Sequence, residues 1–351
     1  MKPIKNTYLE NFENDDDASI VAEISANHQG KIENAIKLID IAKLSGANAV
    51  KFQTYTADTI SISSKEDDFL LPKNSPWKKY ISYYDLYSES FTPWEWHKTL
   101  FDYVRKNEMI PFSSPFDETA VDFLETLDCD LYKLASPEIN HIPLIRKIAK
   151  TKKPIIISLG TASELDLDLA VSEFRKLSSS KIVIMQCESN YPASENAANL
   201  NLLNYLRAKY KVEIGYSDHT IGYKSATIAI ALGAKVIEKH ISKDGDTEDI
   251  DGFFSATETS FPEYCREIRN TESILGNQEF RYMDSNTDIQ SKQRSIYPIN
   301  YVKKGEIITT ADIKVVRPGH SLEPIHFDTI IGKRAARDLR VGERIKLGDF
   351  E

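Results

Sequence analysis

At 351 residues the chain is long enough to bury a large core, either as one big α/β domain with a small companion or as two medium domains. Hydrophobic residues at 41% and charged residues at 28% are ordinary for a soluble globular protein. Its 44 basic and 53 acidic side chains give a net charge of −9, which repels nucleic acid and anionic membrane and leaves any anionic substrate to local lysines and arginines.

The N-terminal stretch holds no apolar run suited to a signal peptide, and no span of about 18 apolar residues occurs, so a soluble cytoplasmic protein is expected. In chain order, β-branched apolar runs then recur: SIVAEISAN (19 to 27), NAVKFQTY (48 to 55), MIPFSSP (109 to 115), DLYKLASPE (130 to 138), KPIIISLG (153 to 160), KIVIMQCES (181 to 189), KVEIGYSDH (211 to 219) and AKVIEKHIS (234 to 242). Between them, apolar residues at helical spacing predict helices over 32–44, 93–105, 119–127, 142–149, 164–177, 200–209, 225–232 and 263–275. Ser45-Gly46 and Leu232-Gly233 supply helix stops. Eight strand-then-helix units predict a (β/α)8 TIM barrel. A doubly wound open sheet is the other arrangement such alternation permits, but no Gly-x-Gly-x-x-Gly follows the first strand.

The second connection, Ala57 to Phe91, is longer than the others and rich in tyrosine; Tyr80, Tyr83, Tyr84 and Tyr87 either cover a ligand at the barrel mouth or fasten the insertion to the barrel. Beyond about residue 277 the pattern changes. We expect the barrel domain over 1–280, a linker over 281–292 and a small β-rich domain over 293–351, with tight turns at Lys304-Gly305 and Val341-Gly342. Cys129, Cys187 and Cys265 are too scattered for a disulfide framework or a zinc knuckle, and Cys187, in IVIMQC, reads as core filler rather than nucleophile.

Strand side chains alternate between the helix layer and the barrel interior, so parity assigns each residue a face. Glu23 and Ser25 share one face, as do Lys51 and Gln53, Ser217 and His219, and Glu238 and His240, all near C-terminal strand ends. An unpartnered buried charge costs several kcal/mol or shifts its pKa, so polar pairs on four strands point to groups that face one another and a ligand. In such barrels the active site lies at that end. His219 and His240, on neighbouring strands at the same height, suit a divalent metal with open positions for substrate, or else form a hydrogen-bonded pair; Glu238 or Asp218 would orient them. Lys239 takes the outward face and needs a structural partner there. Lys51 and Lys133, with Ser113, Ser114, Ser136 and Ser158, suit a phosphate or carboxylate; a Schiff-base lysine is the other reading.

The ordered motifs AEISANHQG, VKFQTY, FSSPFD, YKLASPE, CESNYP, GYSDHTIG, ALGAKVIEKH and RPG (317 to 319) resemble the nonulosonic (sialic) acid synthase family over nearly the whole chain, and the tail resembles its SAF, or antifreeze-like, domain. QTYTADTISISSKEDDF, PWEWH, SANH and the terminal GDFE most resemble the branch that makes pseudaminic acid, although the Pro-Gly-Pro-Asp-His segment of the neuraminate and legionaminate branches is absent. The resemblance implies that phosphoenolpyruvate condenses with an open-chain 2,4-diacetamido-2,4,6-trideoxy hexose, releasing phosphate by C–O cleavage. It implies Glu23 and Glu238 as catalytic groups, and Lys51, Ser114, Lys133, Ser136, Ser158 and Ser217 around phosphoenolpyruvate. Gln53, Tyr191, Asp251 and Arg317 would face the sugar, Arg317 from the partner chain of a domain-swapped homodimer, with Mn²⁺, Mg²⁺ or Co²⁺ on His219 and His240.

Overall fold

The computed structural model describes residues 17–244, 249–277 and 287–351. They fall into two compact units that divide between Gly276 and Asn277.

The first unit is a closed parallel barrel. Its strands are β1 (Ser19–Glu23), β2 (Ala49–Thr54), β3 (Ile110–Pro115), β4 (Tyr132–Leu134), β5 (Ile155–Ser158), β6 (Ile182–Cys187), β7 (Glu213–Asp218) and β8 (Val236–Ser242). Each pairs with its sequence neighbours, and β1 also pairs with β8, which closes the ring. Helices Ile32–Ser45, Trp94–Lys106, Glu118–Glu125, Ile142–Lys150, Glu164–Leu177, Leu202–Tyr210, Lys224–Ala231 and Ser260–Leu275 alternate with them, so the fold is the predicted (β/α)8 barrel.

Outward strand residues such as Ile20, Phe52, Ile157, Ile184 and Ile237 are fully or almost fully buried, in one apolar core with Leu38, Phe101, Ile148, Phe174 and Phe261 from the helices. Each such side chain contributes roughly 1.5–3 kcal/mol by leaving water. Gly46 and Gly233 turn the chain at φ +85° and +87°, a left-handed geometry in which a Cβ is strained.

Two strands stop earlier than the apolar runs suggest. β1 ends at Glu23 because Ser25 takes φ +50°, and β4 is three residues long because Ser136–Glu138 winds into a 3₁₀ turn around Pro137, whose ring nitrogen has no hydrogen to give a sheet. The long second connection contains helix Tyr83–Ser90, started by a capping box in which the Ser82 hydroxyl accepts from the Asp85 N–H and the Asp85 carboxylate accepts from the Ser82 N–H.

In the second unit, Ser295–Pro298 pairs antiparallel with Ile313–Val316, and Ile296, Val302, Ile308, Ile313, Ile330 and Leu339 form a separate small core. Of the expected linker, residues 281–286 lie outside the described residues, and Thr287–Lys292 is a short helix. No helix among the described residues is long and apolar enough to cross a membrane.

Candidate active site

Register brings the polar strand ends together. In the β1–β2 pairing Glu23 lies beside Lys51, and in the β1–β8 pairing it lies beside His240. The β2–β3 register sets Gln53 beside Ser114; the β6–β7 and β7–β8 registers set Cys187 beside Ser217 and Ser217 beside Glu238. Partners in a parallel ladder share a face, so these side chains enter the same interior.

Two carboxylates and two ammoniums form its centre. Lys51 Nζ is 2.7 Å from Glu238 Oε1 and 3.2 Å from Glu23 Oε2, while Lys133 Nζ lies 3.2 and 3.1 Å from the two Glu238 oxygens. The Ser217 hydroxyl donates to Glu238 Oε1 at 3.1 Å, and Gln53 Nε2 donates to Glu23 Oε1 at 3.0 Å. Burial favours the neutral acid at Glu238, but Lys133 and Lys51 outweigh it and hold the carboxyl well below its usual range. Glu23 has only a share of Lys51; burial, helped by repulsion from Glu238, raises it to about 7 against the pull of that ammonium. Burial likewise favours neutral Lys51, but Glu23 and Glu238 prevail and raise it; at Lys133 burial prevails and lowers it.

Above this network the two histidines meet edge to face, with ring centroids 5.3 Å apart. His219 Nδ1 is 2.7 Å from the Glu188 carbonyl oxygen, so it is the donor there and Nε2 keeps its lone pair. His240 Nδ1 is buried without a hydrogen-bond partner, 4.0 Å from Asp251 Oδ2. Burial lowers both rings, His219 to about 4 and His240 well below the usual value, so both are neutral at ordinary pH. Neutral imidazoles with unspent lone pairs fit a divalent transition metal. Among the described residues no group of three or more His, Cys, Asp or Glu side chains is arranged as a ligand set.

These groups open into a cavity of about 300 Å³ at the C-terminal mouth of the barrel. Lys51, Gln53, Ser114, Lys133, Ser136, Ser158, Tyr191, Ser217, His219, Glu238, His240 and Asp251 all line it. Glu23 does not; it is fully buried and is linked to the cavity through Lys51 and Gln53, which line it. Arg317 is exposed on the second unit. Ser114 Oγ, Ser158 Oγ and His240 Nδ1, all in the lining, are buried and make no hydrogen bond, a concentration of unmet polar capacity that a ligand would satisfy.

Two residues considered beside the site belong elsewhere. Ser113 has the opposite parity from Ser114 and bonds Thr54 at 2.6 Å, which in turn bonds His97 at 2.8 Å in the helix layer. Asp218 does not orient the histidines: it faces outward, 3.3 Å from Lys239 Nζ and accepting from the Tyr264 hydroxyl at 3.0 Å. Lys239 thus has the outward partner its parity demanded.

Other site residues carry little signal in the sequence. Ser25 donates to Asp251, and Asn27 ties the end of β1 to β8 by donating to the Ile241 carbonyl at 2.8 Å and to the loop after β8 by accepting from the Asp251 N–H at 3.0 Å. Gly160 lies where a methyl group would fall on Ser189 Oγ and stand 2.6 Å from Ser136 Oγ and 2.9 Å from Cys187 Sγ. Next to it the Thr161 N–H donates to Ser136 Oγ at 2.6 Å, so this turn sets the serine. Cys187 also lines the cavity, and burial raises its thiol pKa, which keeps it protonated.

Comparison with known proteins gives the family. The chain is similar to pseudaminic acid synthase from Campylobacter jejuni, 38% identical over 97% of this chain and 99% of that one, and to N,N'-diacetyllegionaminic acid synthase from Legionella pneumophila, 32% identical over 92% of each. Among solved structures, the spore coat polysaccharide biosynthesis protein spsE from Bacillus subtilis superimposes with a TM-score of 0.63 at 31% identity, over 95% of both chains. Residues 293–351 match the SAF domain model. Because the NeuB family model matches residues 38–280, nearly all of the barrel that carries the cavity, the chain belongs to the NeuB family.

Proposed function

We propose that this protein is a pseudaminic acid synthase, a transferase that condenses phosphoenolpyruvate with 2,4-diacetamido-2,4,6-trideoxy-L-altrose to give pseudaminic acid and phosphate. The observation that carries this reading is one cavity in which two lysines and several strand-end hydroxyls face two neutral imidazoles. Similarity to a pseudaminic acid synthase along almost the entire chain supports the choice of sugar.

In this reading Lys51, Lys133, Ser114, Ser136, Ser158 and Ser217 bind the phosphate and carboxylate of phosphoenolpyruvate. Glu238 holds both ammoniums in place until the anion arrives. Gln53, Tyr191 and Asp251 orient the open-chain sugar, so that C3 of the enol forms a bond to the aldehyde carbon and the aldehyde oxygen takes a proton. His219 and His240 would hold a divalent ion (Mn²⁺, Mg²⁺ or Co²⁺), which would supply Lewis acidity for the carbonyl when bound. Water then adds to the cationic C2, and Glu23 stabilises the charge and accepts the water's proton. The adduct expels phosphate as the C2 ketone forms. Arg317 would reach the sugar of a partner chain in a domain-swapped homodimer, and the use of phosphoenolpyruvate fits a cytoplasmic enzyme.

Phosphate release from phosphoenolpyruvate, measured with L-altro, gluco and manno sugars and with or without EDTA, tests the proposal. L-altro turnover that EDTA abolishes is expected. Preference for another configuration would point to a legionaminic or neuraminic acid synthase, whereas chelator-resistant turnover with borohydride trapping of pyruvate at Lys133 would mark a Schiff-base aldolase.

Further results are expected at Glu23 and at Gly160. Because Glu23 titrates near 7 and acts as the carboxylate, kcat/KM should rise with pH through about 7, and Glu23→Gln should block turnover while phosphoenolpyruvate still binds. The sign for stability is opposite. A raised folded-state pKa gives stability that is complete below the unfolded value of 4.5 and lost as pH rises through about 7, so Glu23→Gln should gain on wild type in urea unfolding over that interval. Normal turnover by this variant would remove Glu23 as base. Gly160→Ala, by displacing Ser136, should raise the phosphoenolpyruvate KM by about 10-fold or more without changing the sugar KM; equal effects on both would show general damage.

A further inference from the structure

The cavity is not polar all round. Helix Tyr83–Ser90 turns Tyr83, Leu86, Tyr87 and Ser90 towards it, at the i, i+3, i+4, i+7 spacing of a single face. The opposite face carries Asp85, Ser88 and Glu89 in water, with the Tyr84 hydroxyl bonded to Asp58 and the Tyr80 hydroxyl to Glu89. The helix is therefore amphipathic, but its apolar side does not join the barrel core. Leu86 is 6% exposed and lies outside the cluster that holds the strands and helices together.

Aromatic contacts fix this wall. Tyr55 meets Tyr87 edge-on at 5.8 Å and Phe116 at 5.0 Å, Tyr83 stacks on Tyr87 at 6.2 Å, and Ser90 Oγ bonds the Tyr55 hydroxyl at 2.7 Å. Across the mouth, Trp77 donates from Nε1 to the Ile250 carbonyl at 3.0 Å and sets its ring 5.9 Å from Tyr191. Such a surface gives a hydroxyl-rich flank no charged partner but suits methyl groups.

We infer that the inward face of helix Tyr83–Ser90, through Leu86 and Tyr87, is the element that selects a sugar bearing methyl groups (the C6 deoxy carbon and the acyl caps) over its hydroxylated counterpart. This rests on the proposed condensation with a diacetamido-trideoxy hexose. The ionic floor holds phosphoenolpyruvate and is common to any such sugar, while the insertion decides which flank is buried. A hydroxyl against Leu86 or the ring faces of Tyr83 and Tyr87 leaves water without regaining a hydrogen bond, whereas each methyl there is rewarded by a factor of roughly 10–200 in kcat/KM.

The test is competition. Wild type, Leu86→Ser, Tyr87→Ala and Tyr87→Phe are each given phosphoenolpyruvate and an equimolar mixture of the 2,4-diacetamido-2,4,6-trideoxy hexose and the 2-acetamido-2-deoxy hexose of the same configuration. The configuration is the one that wild type turns over, products are counted by mass spectrometry, and circular dichroism melts check folding. Leu86→Ser and Tyr87→Ala should each shift the product ratio about 10-fold or more towards the hydroxylated sugar, with the phosphoenolpyruvate KM unchanged, and Tyr87→Phe should keep the wild-type ratio. An unchanged ratio, or equal loss of both products in folded variants, overturns the inference; if Leu86→Ser does not fold, Tyr87→Ala decides alone. Wild type that turns over no diacetamido hexose in any configuration overturns the proposed function, and this inference with it, through a result that involves no variant.

Discussion

Alanine at His219 or at His240 is expected to lower turnover by about 1000-fold or more while leaving the barrel folded, because Lewis-acid polarisation of a carbonyl supplies several kcal/mol and each ~1.4 kcal/mol is a factor of ten. The fold should survive because neither ring anchors core packing: both line the cavity, and His240 Nδ1 has no bond to lose. Activity and Mn²⁺ binding by titration calorimetry should fall together. An active variant, or one that binds Mn²⁺ as wild type does, would sink the assignment of that histidine as a ligand.

The second large effect is expected at the ion network. Lys133→Met removes one of two ammoniums on Glu238 and leaves a fully buried carboxylate with only the lysine it shares with Glu23. Breaking a buried pair from one side typically costs about 3–5 kcal/mol, more than the intact pair contributes, because the remaining charge stays in low dielectric. We therefore expect a loss of about 3 kcal/mol in urea unfolding for Lys133→Met. Lys133→Met combined with Glu238→Gln should recover much of it, since the orphaned charge is gone. Activity should be lost in both, because neither protein keeps two lysines for an anion. A double variant no more stable than the single one would mean that Lys133 stabilises the barrel by packing rather than charge.

Much of this was legible in the chain. Alternation in VAEIS, VKFQT, GYSDH and VIEKHIS assigns each polar residue a face by parity, and parallel pairing keeps partners on one face, so the order of strands is enough to gather Glu23, Lys51, Ser217, Glu238 and the histidines. Parity also separated Lys239 from its neighbours. What stayed hidden depends on chain that is neither strand nor helix. The positive φ at Ser25 and the Asn27 link to the loop after β8 have no periodicity to betray them. The role of Gly160 appears only once Ser136 and Ser189 are brought against it. Tyr80, Tyr83, Tyr84 and Tyr87 looked alike as letters; the phase of helix Tyr83–Ser90 sends Tyr83 and Tyr87 to the cavity and Tyr84 to water. Glu23 shows the limit of parity, which gives a face but not an exposure: the carboxyl is fully buried and is not among the groups that line the cavity.

The outward ion pair of Asp218 and Lys239 has a consequence for folding fidelity. These two are directly paired across β7 and β8, and each is followed by one of the histidines. If β8 slipped by one residue, every side chain on it would change face. Lys239 would then swing inward to join Lys51 and Lys133, three ammoniums in one dry space, while Glu238 would swing outward against Asp218. Like charges would collect on both sides of the sheet at once. The alternation of opposite signs along VIEKHIS thus proofreads the alignment of the last strand, so that a barrel which closes at all closes with its histidines side by side.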